Sequence, residues 1–199
     1  MKRRANRDRF GGVTALWIEA MLAAWLLLCP TIRDARADQN DPRLDTLFSE
    51  LQRAQSAAVA ERIDNRIWAI WHESGSGVVD LMMTEGLKAL ALGRHKTALE
   101  AFDTAVETAP EFAEAWNKRA TVHFLLGNYE ASRRDAEMTL ELEPRHFGAM
   151  SGLGAIHMTL GQPAEALEWF RRAIEIHPHL EGVRKRIRSL EAEVEGRAI

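Results

Sequence analysis

Hydrophobic and polar positions alternate with a helical period along most of this chain. Trp116, Ala120, His123 and Phe124 fall on one face of one predicted helix, and residues 164–176 form another. Val183, Ile187, Leu190 and Val194 follow at intervals of 4, 3 and 4, which marks a last amphipathic helix. Upstream, residues 44–55 and 57–73 read as a helical pair. The second of these carries Trp68 and Trp71 and stops at "ESGSG". That stretch is a linker rather than a nucleotide loop, because no Lys-Ser or Lys-Thr follows it.

The helices recur at a fixed period. Pro110, Pro144 and Pro178 stand 34 residues apart, and so do Leu92-Gly93, Leu126-Gly127 and Leu160-Gly161. Gly86, Ala120 and Gly154 share the slot before each glycine; Ala98, Ser132 and Ala166 share a small slot after it. Phe102, Ala136 and Phe170 come next, then Ala105, Thr139 and Ala173. One register held through three copies means an array of stacked units. Each unit is a helix ended by a glycine that tolerates a left-handed cap, a second helix, and a proline that cannot continue it. Small slots let the two helices approach, and Phe102 and Phe170 fill the space between pairs. A single pair cannot bury its apolar stripe alone, so neighbours must stack.

Residues 113–146 carry Trp116, Ala120, Gly127, Tyr129 and Pro144 in these slots, and the pattern resembles the tetratricopeptide repeat. The resemblance implies an all-α, right-handed α-solenoid of helix-turn-helix units. It places repeats at 79–112, 113–146 and 147–180, an N-terminal capping pair with its linker at 38–78, and a C-terminal capping helix at 181–199. Arg184, Lys185, Arg186 and Arg188 give that last helix the polar outer face a terminal unit needs. Counting back 34 from Phe102 lands on Trp68, and from Ala105 on Trp71. Residues 57–73 then align with the second helix of a degenerate repeat. Both tryptophans are expected to be buried, Trp68 against the first helix of repeat one, with Trp71 the poorer fit in an alanine slot. Departures from the family pattern stand at Ala89, His123 and His157, where an aromatic residue is usual, and at Ala136 and Thr139. Looser packing is expected there.

Composition adds a leader. The 199 residues are 46% hydrophobic with a formal net charge of -3. Residues 1–37 open on the basic "MKRRANRDRF", pass through "AMLAAWLLLC" and reach "ARA" at Ala37. This is the pattern of a secretory signal peptide, with cleavage expected after Ala37. The uncharged run from Ala20 to Ile32 is 13 residues, short of the ~20 that a spanning helix needs. Removal of the leader leaves 19 basic and 26 acidic residues, net -7. Such a chain is a poor nucleic-acid binder and has no stable membrane insertion. The single cysteine, Cys29, leaves with the leader, so no disulfide is expected. The expected location is the periplasm of a Gram-negative bacterium, by analogy with exported bacterial repeat proteins.

Catalytic motifs are absent: there is no Gly-x-Ser-x-Gly, no phosphate loop and no His-Glu-x-x-His. No enzyme activity, cofactor or metal is expected. His177 and His179 could chelate, but two imidazoles fall short of the three or four ligands a zinc site takes. His123 and His157 stand 34 apart and read as substitutes for an aromatic packing residue, or as a pH-sensitive contact between repeats. Glu111, Glu114, Glu141 and Glu143 read as solvated surface, and so does the basic run of the last helix.

The family fold lines a concave groove with the first helices. Carried onto this sequence, the groove holds Met83, Thr84, Leu87, Leu90 and Ala91 from repeat one. Repeat two adds Asn117, Lys118, Thr121, Phe124 and Leu125, and repeat three adds Ser151, Gly152, Ala155, Met158 and Thr159. Some family members clamp a partner's C-terminal carboxylate with Lys, Asn and Arg. Here only Asn117 and Lys118 remain for that task, so a short apolar or amphipathic peptide of an unidentified partner protein fits better. The capping helices could instead fill part of the groove. The alternative function is a self-associating scaffold of an envelope assembly, acting through its convex face or helix ends.

Overall fold

The structure, a computed structural model, describes residues 38–197. The predicted leader at 1–37 lies outside them. Among the described residues there are nine α-helices and no strand. They are α1 (Arg43–Gln52), α2 (Ala57–Trp71), α3 (Gly77–Ala91), α4 (His95–Thr108), α5 (Ala113–Leu125), α6 (Tyr129–Leu142), α7 (Phe147–Thr159), α8 (Pro163–Ile176) and α9 (Glu181–Arg197). No described helix is long and apolar enough to cross a membrane.

Helices α3/α4, α5/α6 and α7/α8 form the three repeats of an all-α solenoid. Gly93, Gly127 and Gly161 end the first helices with φ of 68°, 77° and 71°. The next N–H in each case returns to the carbonyl five residues back: Arg94 to Ala89, Asn128 to His123 and Gln162 to His157, each at 2.9 Å. The recurring Leu-Gly is therefore a Schellman ending, which closes carbonyls that the helix leaves open. Gly86 and Gly154 serve a different purpose. A Cβ at either would stand 2.5 Å from the ring of Phe102 or Phe170. Both rings are buried, together with Ala98, Ala105, Ala166 and Ala173. At the C-terminal end, Ile187 and Leu190 of α9 pack on Ala166 and Phe170, and Arg184, Lys185, Arg186 and Arg188 face solvent.

Helices α1 and α2 depart from the sequence expectation. Each is amphipathic: Leu44, Leu47, Phe48 and Leu51 face Ala60, Ile63, Ile67, Ile70 and Trp71. Ser56 caps α2 by accepting from the Val59 N–H. The hairpin does not stack ahead of repeat one. Its apolar cluster instead takes in Phe147, which opens α7, and Ile176 and Leu180, on either side of the turn from α8 to α9. Gln39 donates to the Glu111 carbonyl. Arg145 joins Asp45 and Glu143 and lies over the Phe48 ring at 4.4 Å. His179 bonds the Ala54 carbonyl at 2.9 Å. The hairpin thus runs across the turn side of repeats two and three. The physical reason is visible in α1, which has no glycine ending and no small slot, so it cannot nest against α3 as a repeat would.

The tryptophans follow from this placement. Trp71, the poorer fit by register, is buried at 2% exposure. Trp68 is half-buried and faces repeat three rather than repeat one. Its ring lies 5.6 Å from Phe147 and 5.5 Å from His146, and its edge would meet a Cβ at Gly148 at 2.9 Å.

Candidate functional site

The hairpin lies against the starts of α5 and α7, in one half of the predicted groove. Its inner wall meets Glu114 at the start of α5, which is 1% exposed. Glu114 accepts from Asn117 Nδ2 at 2.8 Å and lies 2.8 Å from Lys118 Nζ. His146 Nε2 stands 3.1 Å from the same carboxylate and His72 Nε2 3.4 Å. Burial alone would raise the Glu114 pKa, but the bonds and charges of His146 and Lys118 outweigh it and hold the carboxyl at about 2. His146 Nδ1 accepts the Ala149 N–H, which leaves the proton on Nε2, facing Glu114. Glu114 and Glu143 are thus buried, bonded groups and not the solvated surface that composition suggests.

This arrangement also settles the polar band of the groove. Asn117 is buried and turned onto Glu114. Lys118 pairs with Glu114 and lies beneath the Trp68 ring at 5.1 Å. Lys118 thus meets the hairpin directly, and Asn117 only by way of Glu114, which faces His72.

The other half of the concave face is open. Between α5 and α7 lies a partly open cavity of about 140 Å³. Asn117, Ala120, Thr121 and Phe124 line it from α5, Ser132 and Ala136 from α6, and Gly148, Ala149, Gly152, Ala155 and Ile156 from α7. Its origin is a substitution within the repeat. In repeats one and three the Phe102 and Phe170 rings press on Gly86 and Gly154. In repeat two the ring's slot is Ala136, facing Ala120, and the space stays empty. Ser132 Oγ donates to the Ala120 carbonyl at 2.7 Å and ties α5 to α6 beside it.

Of the residues predicted for the groove, Asn117, Thr121, Phe124, Gly152 and Ala155 meet at this socket. Met83 is buried in the core of repeat one, and Leu87 and Leu90 pack on that core. Ser151 is half-buried, its hydroxyl bonded to the Phe147 carbonyl. Met158 is 40% exposed and Leu125 49%, and neither lines the socket. Ala120, Ala136, Gly148 and Ala149 were not among the predicted site residues. The signal for them was the missing phenylalanine at position 136.

The histidines take separate partners. His123 Nε2 lies 3.8 Å from Asp135, whereas His157 bonds Gln162. His177 Nδ1 accepts the His179 N–H, and its Nε2 faces Asp64 at 3.8 Å. Burial, reinforced by His179, lowers the His177 pKa to about 4. Burial pushes the Asp64 carboxyl up to about 6 against the opposing hydrogen bond of Trp68.

Three helix pairs ended alike and stacked in one register define a repeat solenoid. Two tetratricopeptide repeat models match, one over residues 83–138 and the other over residues 111–179. A TPR repeat-containing protein of Rhizobium etli is 42% identical over 136 residues, covering 68% of this chain and 67% of that one. The chain belongs to the tetratricopeptide repeat family. The small glutamine-rich tetratricopeptide repeat-containing protein 2 of Saccharomyces cerevisiae is 30% identical over 117 residues, 59% of this chain and 34% of its own length. The chain therefore spans two thirds of the bacterial relative and about a third of the yeast one. Among solved structures, the first TPR of Spaghetti (RPAP3), bound to the HSP90 peptide SRMEEVD, aligns at TM-score 0.57 and 19% identity over 59% of this chain and 93% of that chain. The Sgt2 TPR domain of Aspergillus fumigatus aligns at 0.57 and 21%, over 60% and 81%. What these two share with the chain is the fold.

Proposed function

We propose that this chain is a non-catalytic protein-binding module. It holds a short apolar or amphipathic segment of a partner in the half of the concave face that the hairpin leaves open. One apolar side chain of that segment enters the socket beside Ala136. The socket is the observation that carries this reading: a partly open cavity of about 140 Å³ walled mainly by Ala, Gly, Ile and Phe. An apolar cavity of about this size accepts a benzene-sized group.

The first TPR of Spaghetti (RPAP3), which shares the fold, is bound to the HSP90 peptide SRMEEVD. The chemistry here differs, because Lys118 and Asn117 are spent on Glu114. An apolar anchor therefore replaces a carboxylate clamp in this reading. The leader pattern at 1–37 supports an encounter in the cell envelope, and N-terminal sequencing of the exported chain tests it: an N-terminus at Asp38 is expected, an intact leader is not.

Photo-crosslinking tests the groove. A crosslinking amino acid at Thr121, on the open face, is expected to capture a discrete partner. The same group at Glu137 on α6 is expected to capture none. Adducts from Glu137 alone would overturn the groove reading.

A further inference from the structure

Repeat one presents to solvent the face that repeats two and three bury against the pair before them. Leu81 is 55% exposed, whereas its counterparts Ala115 and Ala149 are 0% and 1% exposed. Val78 is 59% exposed, whereas Phe112 and His146 in the same slot are 1% and 0% exposed. Lys88 is exposed where Val122 and Ile156 are buried. Glu85 stands in the slot of Arg119, which in repeat two reaches back to Asp103 of the preceding pair at 3.0 Å. Repeat one has no described pair ahead of it, because α1 and α2 lie across the later repeats.

The uncovered stripe along α3 has an internal symmetry. It reads Leu81, Glu85, Lys88 and Leu92, at intervals of 4, 3 and 4, with Val78 one turn earlier. All five are exposed. Among the described residues, neither Glu85 nor Lys88 has an ion-pair partner. The spacing is the same read in either direction. Two copies of α3 laid antiparallel about a two-fold axis therefore set Leu81 of each against Leu92 of the other. The same pairing sets Glu85 of each against Lys88 of the other.

We propose that a second copy of this chain docks on this face, α3 against α3, in an isologous dimer. The charge pattern selects the occupant. An unrelated helix has no reason to carry Lys opposite Glu85 and Glu opposite Lys88, whereas a second copy supplies both by symmetry. The face is separate from the socket, so dimer formation leaves the open half of the groove available.

Sedimentation of the full chain over a range of concentrations tests this. A monomer–dimer equilibrium is expected. Glu85→Lys places two lysines against two lysines, and Lys88→Glu places two glutamates against two glutamates. Each is expected to weaken the dimer by about tenfold or more, with the helical circular dichroism unchanged. The double variant E85K/K88E restores opposite charges and is expected to recover the dimer. An equal mixture of the two single variants is expected to form the heterodimer. A monomer at every concentration, or an oligomer indifferent to both single substitutions, would overturn the proposal. Failure of both the double variant and the mixture to recover would overturn the antiparallel pairing.

Discussion

The indole of Trp71 lies on the imidazole of His146, with ring centroids 4.2 Å apart and planes 9° from parallel. Trp71 ends α2 and His146 precedes α7, so this one contact fastens the N-terminal hairpin to the junction of repeats two and three. Trp68 meets both rings edge-on, at 5.2 and 5.5 Å. The imidazole does three things at once: it stacks, it caps α7 through Nδ1, and it donates to Glu114 through Nε2.

Removal of the indole should release the hairpin. Trp71→Ala is expected to cost about 3–5 kcal/mol, the usual range for emptying a buried aromatic site. Trp71→Phe should cost less, because the indole Nε1 is buried without a hydrogen-bond partner and its loss forfeits no polar contact. Urea unfolding gives the magnitudes. Hydrogen exchange in α1 and α2 shows whether the hairpin opens ahead of the repeats.

Glu114 is the shared acceptor beneath that stack. Glu114→Ala leaves Lys118 and His146 without their partner in a buried setting, and a loss of about 3–5 kcal/mol is expected. Glu114→Gln keeps one acceptor oxygen and is expected to fall between this variant and the native chain. Thermal unfolding at neutral pH measures the order.

Much of this fold was legible because it repeats. The glycine endings, the small slots at Gly86 and Ala98, and the buried rings of Phe102 and Phe170 all followed from one 34-residue register. The hairpin was not legible, and for a physical reason. Counting by register places Trp68 against repeat one, but register has meaning only for helices that nest as repeats, and α1 lacks the slots to do so. Contacts between residues as distant as Asp45 and Arg145 leave no periodic trace. The same holds for Glu114, whose burial depends on a hairpin arriving from far up the chain. Ala136 was visible as an irregularity that should loosen packing. That the loosened space opens toward the groove required the positions of Gly152 and Ala155.

The pH response of the seam beside α2 should reflect two opposed groups. The folded chain holds the His177 pKa at about 4, below the ordinary 6.5, so the unfolded chain protonates first. This contribution withdraws stability as pH falls from 6.5 toward 4. Asp64 is raised from 3.8 to about 6, so the folded chain protonates first, and acidification through the same window adds stability. Between pH 6 and 4 the two offset one another. Asp64→Asn removes the offset, and its stability is expected to fall on acidification more steeply than that of the native chain. Glu114, lowered from 4.5 to about 2, adds acid sensitivity below 4.5 in both proteins. Denaturant midpoints across pH 4–7 read the difference. Parallel curves would show that the opposed pair is absent.

The socket can be closed with residues the chain already uses elsewhere. A120G/A136F rebuilds in repeat two the Gly–Phe pair of repeats one and three. Filling part of the cavity should outweigh the cost of a helical glycine, for a net gain of about 1 kcal/mol. Ala136→Phe alone should gain less or lose, because the Ala120 methyl stands where Gly86 and Gly154 make room for a ring. Thermal unfolding distinguishes the two variants.

That double variant also gives the most direct test of the binding site. Crosslinking from Thr121 would be compared in the native chain and in A120G/A136F, with folding confirmed by circular dichroism. A discrete adduct in the native chain that is lost when the socket is filled is the expected result. An adduct of equal yield in both proteins would contradict an apolar anchor beside Ala136 and move binding to another surface.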